Sequence, residues 1–191
     1  MYTAEAVLLR LQVRQQRHDE LAHRDILSFD LYKRLKHMVL HFYKYAGKVE
    51  AARSTSNSEA LRHTLIDTFI ICLASANALN VSLGESVTAL AESCDLDSLA
   101  HELSKKIDAH DLHAEAIRHL VLIGGRMAKA IESADHMEDG NPRAAMNRLV
   151  PELATATLGI LGHLRGGIEA DIHKRLSDVE KRSILSRPLT Q

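Results

Sequence analysis

Histidines and lysines follow one face of a predicted helix. His37, His41, Lys44 and Lys48 are spaced four, three and four residues apart, which places them on one side of an α-helix. Ammonium groups in such a row bind anions, and closely spaced histidines also bind transition metals. His63 and Asp67, four residues apart on the next predicted helix, could complete a zinc site with His37 and His41. The neighbouring lysines oppose a divalent cation, so an anion site is the preferred interpretation.

Apolar residues recur at helical spacing almost throughout the 191 residues, which predicts an all-α protein. Only 9 Gly and 3 Pro interrupt this pattern, and the clusters of β-branched and aromatic residues typical of successive strands are missing. A capping box at Ser56 and Glu59 opens the third helix, which ends near Asn80. Its stretch from 65 to 76 is apolar on all sides and should lie at the centre. The other predicted helices cover 3–22, 27–53, 83–93, 97–109, 111–136, 142–164 and 168–185, and Ser82, Asp95 and Asn141 are the predicted N-caps of three of them.

An internal repeat relates two parts of the chain. Residues 46–52 resemble 124–130, and residues 62–83 overlay 147–168 without a gap. The overlay divides the chain into a first helical repeat at 1–94 and a second, more degenerate one at 95–186, with a loose tail at 187–191. It predicts a bundle of about eight helices, built from two pseudo-repeated four-helix halves that pack as helical hairpins.

Three segments carry a resemblance to a known superfamily. They are Y-A-G-K-V-E-A-A at 45–52, L-I-D-T-F at 65–69 and L-A-S-A-N-A-L-N-V-S-L at 73–83. Together they resemble the MazG-like all-α nucleoside triphosphate pyrophosphohydrolases, which include the dimeric dUTPases, and E-K-R at 180–182 resembles that family's basic C-terminal segment. The resemblance covers about 27–94 well and 111–185 more weakly. It implies a tandem arrangement and carboxylates that hold Mg²⁺ for attack on a triphosphate.

Most of the acids that this chemistry requires are replaced. Where the family carries glutamates, this chain has Lys44, Tyr45 and Lys48, and the Glu of the E-x-x-D motif is Thr64. Asp67 alone matches. The equivalent points of the second half hold Ile123 and Arg126, with Glu152 near the Asp position. Because lysines repel a divalent cation, we expect no catalysis, with Lys44 or Lys48 paired to Asp67 in place of the metal.

The expected function is therefore the binding of a nucleotide or small anion by a diverged, inactive family member, or a role in assembly or regulation, without a metal or other cofactor. The candidate ligand-binding residues are Lys44, Lys48, His63, Asp67, Lys181 and Arg182. One alternative is an active pyrophosphohydrolase that uses Mg²⁺. Another is a structural interaction scaffold. The acids of the active alternative would be Glu50, Glu59, Asp67 and Glu85.

Composition and charge limit the classes of binding partner and the cellular compartment that we expect for this chain. The net charge is −1 with histidine neutral, so the overall field does not attract nucleic acid or an anionic membrane. The most apolar stretch, 69–76, is too short to cross a bilayer. The two cysteines, Cys72 and Cys94, predict free thiols, and the absence of signal-peptide features at the N-terminus predicts a cytoplasmic location.

Exposed apolar hairpin faces favour a homo-oligomer. Arg17 and His23 also fit the short R-x(4–6)-H pattern of HEPN ribonucleases, which is common by chance.

Overall fold

A computed structural model describes residues 3–89, 93, 95–136 and 138–182. Within these residues the chain is all-helical, and none of the helices is long and apolar enough to span a membrane. Cys94 and the predicted tail at 187–191 lie outside the described residues. So does part of the end of the predicted helix at 83–93. The helices are α1 (Ala4–Ala22), α2 (Arg24–Leu27), α3 (Leu31–Arg53), α4 (Ser58–Leu79), α5 (Leu83–Thr88), α6 (Leu96–Ser104), α7 (Leu112–Asp135), α8 (Pro142–Leu161) and α9 (Ile168–Glu180).

Side-chain caps set several of the helix starts. Ser82, Asp95 and Asn141 each accept a hydrogen bond from a backbone N–H in the first turn of α5, α6 and α8, as their positions in the sequence predict. The predicted cap at Ser56 is wrong. Asn57 caps α4 by accepting from the Ala60 N–H, because Ser56 has a left-handed backbone with φ of 49° and belongs to the preceding turn.

The predicted helix at 27–53 begins later than predicted, at Leu31, and a separate short helix precedes it. Asp30 has an extended backbone, and its carboxylate accepts from the Lys33 N–H at 2.9 Å. This cap starts α3 afresh at Leu31 and leaves α2 as a single short turn. Helix α3 carries the whole cationic row, from His37 to Lys48.

Two helical hairpins form the centre of the molecule. Helix α3 packs on α4 and α7 on α8, while α3 also contacts α7 and α4 contacts α8. Helices α4 and α8 contribute the largest sets of buried residues, and one continuous core contains residues from both predicted halves. The face-to-face packing of hairpins is therefore confirmed, while duplication of an ancestral segment stays a prediction. Helices α1, α5, α6 and α9 surround the hairpins.

Helix α4 buries polar residues without leaving their hydroxyls unpaired. Phe69 and Leu65 are almost completely buried, as the apolar stretch predicts. Thr68 and Ser75 share this environment, and each donates its hydroxyl to the carbonyl four residues earlier, at 2.8 and 2.7 Å. Since burial of an unsatisfied hydroxyl is costly, these local bonds allow the helix to occupy the centre.

Close packing at the end of α8 leads to a stability prediction. A Cβ at Gly162 would lie 2.2 Å from the Ala100 carbonyl oxygen, so Gly162→Ala must push α6 away from α8. We expect a loss of about 2 kcal/mol in the free energy of unfolding, measured by urea denaturation. Gly47→Ala is the matched control, since a Cβ there meets nothing within 4 Å and a helical Gly→Ala change should add about 0.5 kcal/mol. Equal effects of the two substitutions would contradict the described α6–α8 packing.

Candidate functional site

A bidentate ion pair lies where α4 meets α9. Arg175 donates from Nε to Oδ1 of Asp67 at 2.5 Å and from Nη2 to Oδ2 at 3.0 Å. The Asp67 side chain is only 13% exposed, so its charge requires such a partner. The expected pairing of Asp67 with Lys44 or Lys48 is wrong. The planar guanidinium offers two parallel donors to the carboxylate, which a single ammonium cannot do.

Lys44 and Lys48 lie beside this ion pair without joining it. Their Nζ atoms are 4.8 and 5.6 Å from the ring centroid of the buried Tyr45. Among the described residues neither lysine has an acidic group within ion-pair distance. Partial burial and the neighbouring Lys48 lower the pKa of Lys44, which Asp67 partly offsets. Burial and the negative charge of Asp67 raise the pKa of Tyr45. The structure thus brings Lys44, Lys48 and Asp67 together around Tyr45.

The histidines of the row extend the polar face toward the start of α3. His41 Nε2 lies 3.1 Å from His37 Nε2, and His41 Nδ1 lies 2.9 Å from Lys44 Nζ. Partial burial, followed by the charges of Lys44 and His37, lowers the pKa of His41 to about 4. At neutral pH the His41 ring is therefore uncharged and can accept a hydrogen bond from the Lys44 ammonium.

His63 lies one turn before Asp67 on α4, apart from the histidines of α3. Its side chain is exposed, and Nε2 is 3.6 Å from Glu59. It lines a cavity of about 140 Å³ with Arg62, Lys174, Arg175 and acidic residues, whereas His37 and His41 line a separate one. The zinc set of His37, His41, His63 and Asp67 is therefore not assembled. His63 adjoins Arg175 but not the lysines of α3.

Lys181 and Arg182 follow the last turn of α9. Both are exposed, and Lys181 Nζ is 3.4 Å from Asp178 Oδ1. Lys181 is six residues beyond Arg175, which corresponds to about 9 Å along a helix. Neither residue lines the cavity near His63, so the structure does not bring Lys181 and Arg182 to the other candidate residues.

The second predicted half has the cation–carboxylate pair that the first half was expected to have. Arg126 Nη1 on α7 lies 2.6 Å from Glu152 Oε1 on α8. The sequence overlay equates these residues with Lys48 and Asp67. In the first half the corresponding carboxylate is instead held by Arg175 from α9, which leaves Lys48 available to another anion.

The acids of the active-enzyme alternative do not gather. Glu59 is exposed and faces His63, Glu50 lies 3.8 Å from Arg53, and Glu85 is exposed at the start of α5. In the part of the chain that the structure describes, the group of three His, Cys, Asp or Glu residues with mutually close ligand atoms is His18, Asp19 and His23. It lies at the end of α1, away from the motif positions.

Arg175 is the residue that sequence reasoning did not place at the site. It is separated from Asp67 by 108 residues, and its neighbours Lys174 and Lys181 have the same charge. The sequence nevertheless contains one physical indication that Asp67 has a cationic partner. A single aspartate in an apolar helix requires a cation, and α9 carries two adjacent ones, Lys174 and Arg175.

A pH prediction follows from the environment of His41. Its pKa in the folded protein is about 4, against an ordinary value of 6.5, so the unfolded chain binds the proton first as pH falls. This group's contribution to stability is therefore complete above pH 6.5 and declines between pH 6.5 and 4. We expect His41→Gln to make the free energy of unfolding less dependent on pH in that interval, as measured by urea denaturation. A His41 ring signal in NMR that titrates near pH 6.5 would contradict the described burial.

Comparisons with protein-family models, with curated proteins and with solved structures found no match to this chain. The MazG-like resemblance consequently rests on the residues quoted from the sequence.

Proposed function

We propose that this chain is a diverged, catalytically inactive MazG-like protein that binds a nucleotide or another small anion through Lys44 and Lys48. The proposal rests on one arrangement of charges. Arg175 binds the Asp67 carboxylate, and the two lysines beside this pair have no acidic partner within the described residues. The carboxylate that a metal would use is already neutralised. The two remaining ammonium groups point to an anionic ligand.

The local charge supports binding of phosphate. Lys44, Lys48 and Arg175 against Asp67 leave a net charge of +2 in this cluster, although the whole chain carries −1. Both lysines are exposed, so a ligand reaches them without opening the core. Lysine binds phosphate as a point charge with three donors. Adjacent phosphates of a nucleotide could bridge positions four residues apart, about 6 Å along the helix.

The active-enzyme alternative has less support. Mg²⁺ prefers several oxygen ligands, and here the one motif carboxylate is engaged by a guanidinium while Glu50, Glu59 and Glu85 lie apart. An incoming Mg²⁺ would have to displace Arg175 and would meet two ammonium groups. These costs favour binding of an anion without a metal.

Two assays test the proposed function. We expect no release of pyrophosphate from mixtures of NTPs and dNTPs with Mg²⁺ or Mn²⁺. We also expect nucleoside triphosphates to raise the melting temperature equally in EDTA and in Mg²⁺. Metal-dependent pyrophosphate release would establish the enzyme alternative, and the absence of any thermal shift would favour a scaffold.

Self-association is a second candidate property, and it has its own observation. Leu40 and Tyr43 on α3 and Val121 and Leu122 on α7 are exposed, although these helices pack against each other. Large exposed apolar residues on adjacent helices are typical of interaction surfaces. We propose a homodimer through this face in the cytoplasm, a compartment consistent with the unpaired Cys72. Light scattering after size exclusion tests it: Leu40→Lys with Leu122→Lys should give monomers, and a monomeric unsubstituted protein would contradict it.

A further inference from the structure

A group of metal-ligating side chains lies at the C-terminal end of α1. One ligand atom each from His18, Asp19 and His23 lies within 4.8 Å of the others. His18 and Asp19 are only 3% and 9% exposed, and His23 is half-buried. The three residues line a cavity of about 100 Å³, and His37 and His41 lie on its other side. A cavity of this size holds a metal ion and a water molecule.

A carboxylate behind His18 fixes the orientation of its ring. His18 Nδ1 lies 3.0 Å from Glu180 Oε1, and Arg14 holds that carboxylate with two hydrogen bonds of 2.5 and 2.8 Å. Because a carboxylate accepts, Nδ1 carries the proton and the unprotonated Nε2 is free to bind a ligand. Metal-binding histidines commonly have such a carboxylate partner, which fixes the tautomer and increases the basicity of the ligand nitrogen.

Asp19 supplies the negative charge. Its side chain is buried and lies near His18, His23 and Arg34. A carboxylate in such a position gains from a cation that binds it directly. Arg34 is the competing positive group.

We propose that His18, Asp19 and His23 bind a transition-metal ion, with Zn²⁺ as the favoured ion. Two imidazole nitrogens and one carboxylate oxygen suit Zn²⁺ rather than Mg²⁺ or Ca²⁺. The fourth coordination position opens into the cavity beside His37 and His41. Ligand bonds of about 2.0–2.1 Å in a tetrahedron separate the ligand atoms by roughly 3.3 Å, so the side chains close by about 1.5 Å at most. The ion would join the end of α1 to the start of α2.

The test uses the full chain after dialysis against a chelator. Titration with Zn²⁺ should show one site per chain, and Co²⁺ should give the intense visible absorption of a four-coordinate ion. His23→Ala should weaken Zn²⁺ binding at least tenfold, and Glu180→Gln should do so by about 10–100-fold through His18. His136→Ala is the matched control, since His136 is an exposed histidine at the end of a different helix, and this variant should bind Zn²⁺ like the unsubstituted chain.

Three results would overturn the proposal: no Zn²⁺ binding, Co²⁺ absorption typical of an octahedral aqueous ion, or equal weakening by His23→Ala and His136→Ala. His23 is half-buried and follows the last residue of α1, so circular dichroism of His23→Ala should match that of the unsubstituted chain. If that variant does not fold, Glu180→Gln decides, since it keeps the size of the side chain and changes only its charge.

Discussion

Replacing Arg175 with alanine should lower the free energy of unfolding by about 3 kcal/mol at neutral pH. The substitution leaves the Asp67 carboxylate, which is 13% exposed, without its two hydrogen bonds. An enclosed charge that loses its partner is strongly destabilising. Urea denaturation followed by circular dichroism measures the effect.

Two matched variants separate this ion pair from general charge effects. Arg175→Lys keeps the positive charge but loses one of the two hydrogen bonds, so its loss should be about half as large. Lys181→Ala removes an exposed cation from the same end of α9 and should cost less than about 0.5 kcal/mol. If Arg175→Ala cost no more than Lys181→Ala, the Asp67–Arg175 pair would not hold α9 against α4.

Reversing the charge of Lys44 and Lys48 should weaken nucleotide binding by at least about 30-fold. The double substitution to glutamate changes the cluster from a net charge of +2 to −2, so the phosphates are repelled where they were attracted. Both side chains are exposed, so the fold should be unaffected. Isothermal titration of ATP or dUTP in EDTA measures the change in Kd.

Lys33→Glu provides the control for that prediction. Lys33 is an exposed lysine on the same helix, 11 residues from Lys44, or about 16 Å along the axis. At physiological salt this exceeds the screening length of about 8 Å, so the affinity should be unchanged. Similar weakening by Lys33→Glu would indicate nonspecific attraction, and an unchanged Kd in the Lys44/Lys48 double variant would exclude these lysines as the site.

Local features of the sequence predict much of the fold. The periodic apolar positions and the caps at Ser82, Asp95 and Asn141 give the helices nearly as observed, because each depends on residues within one or two turns. The Ser56 cap fails because the next residue, Asn57, is an equally good cap, while Ser56 belongs to the preceding turn. The burial of most residues from 65 to 76 in α4 follows directly from the apolar composition of that stretch.

The sequence does not predict which polar groups pair when they are far apart in the chain. The row of His37, His41, Lys44 and Lys48 is local and is observed. The identity of the cation on Asp67 depends on how α9 packs, which no spacing within α4 reveals. The same holds for His18 and Glu180, which are 162 residues apart. His63 shares a helix with Asp67 but pairs with Glu59, one turn earlier.

A crystal structure with Mn²⁺ and a non-hydrolysable nucleoside triphosphate analogue would test the central claim most directly. We expect phosphate oxygens within hydrogen-bond distance of Lys44 and Lys48, the Arg175–Asp67 pair intact, and no anomalous Mn²⁺ signal at Asp67. A manganese ion coordinated by Asp67 and the triphosphate, with Arg175 displaced, would contradict the account.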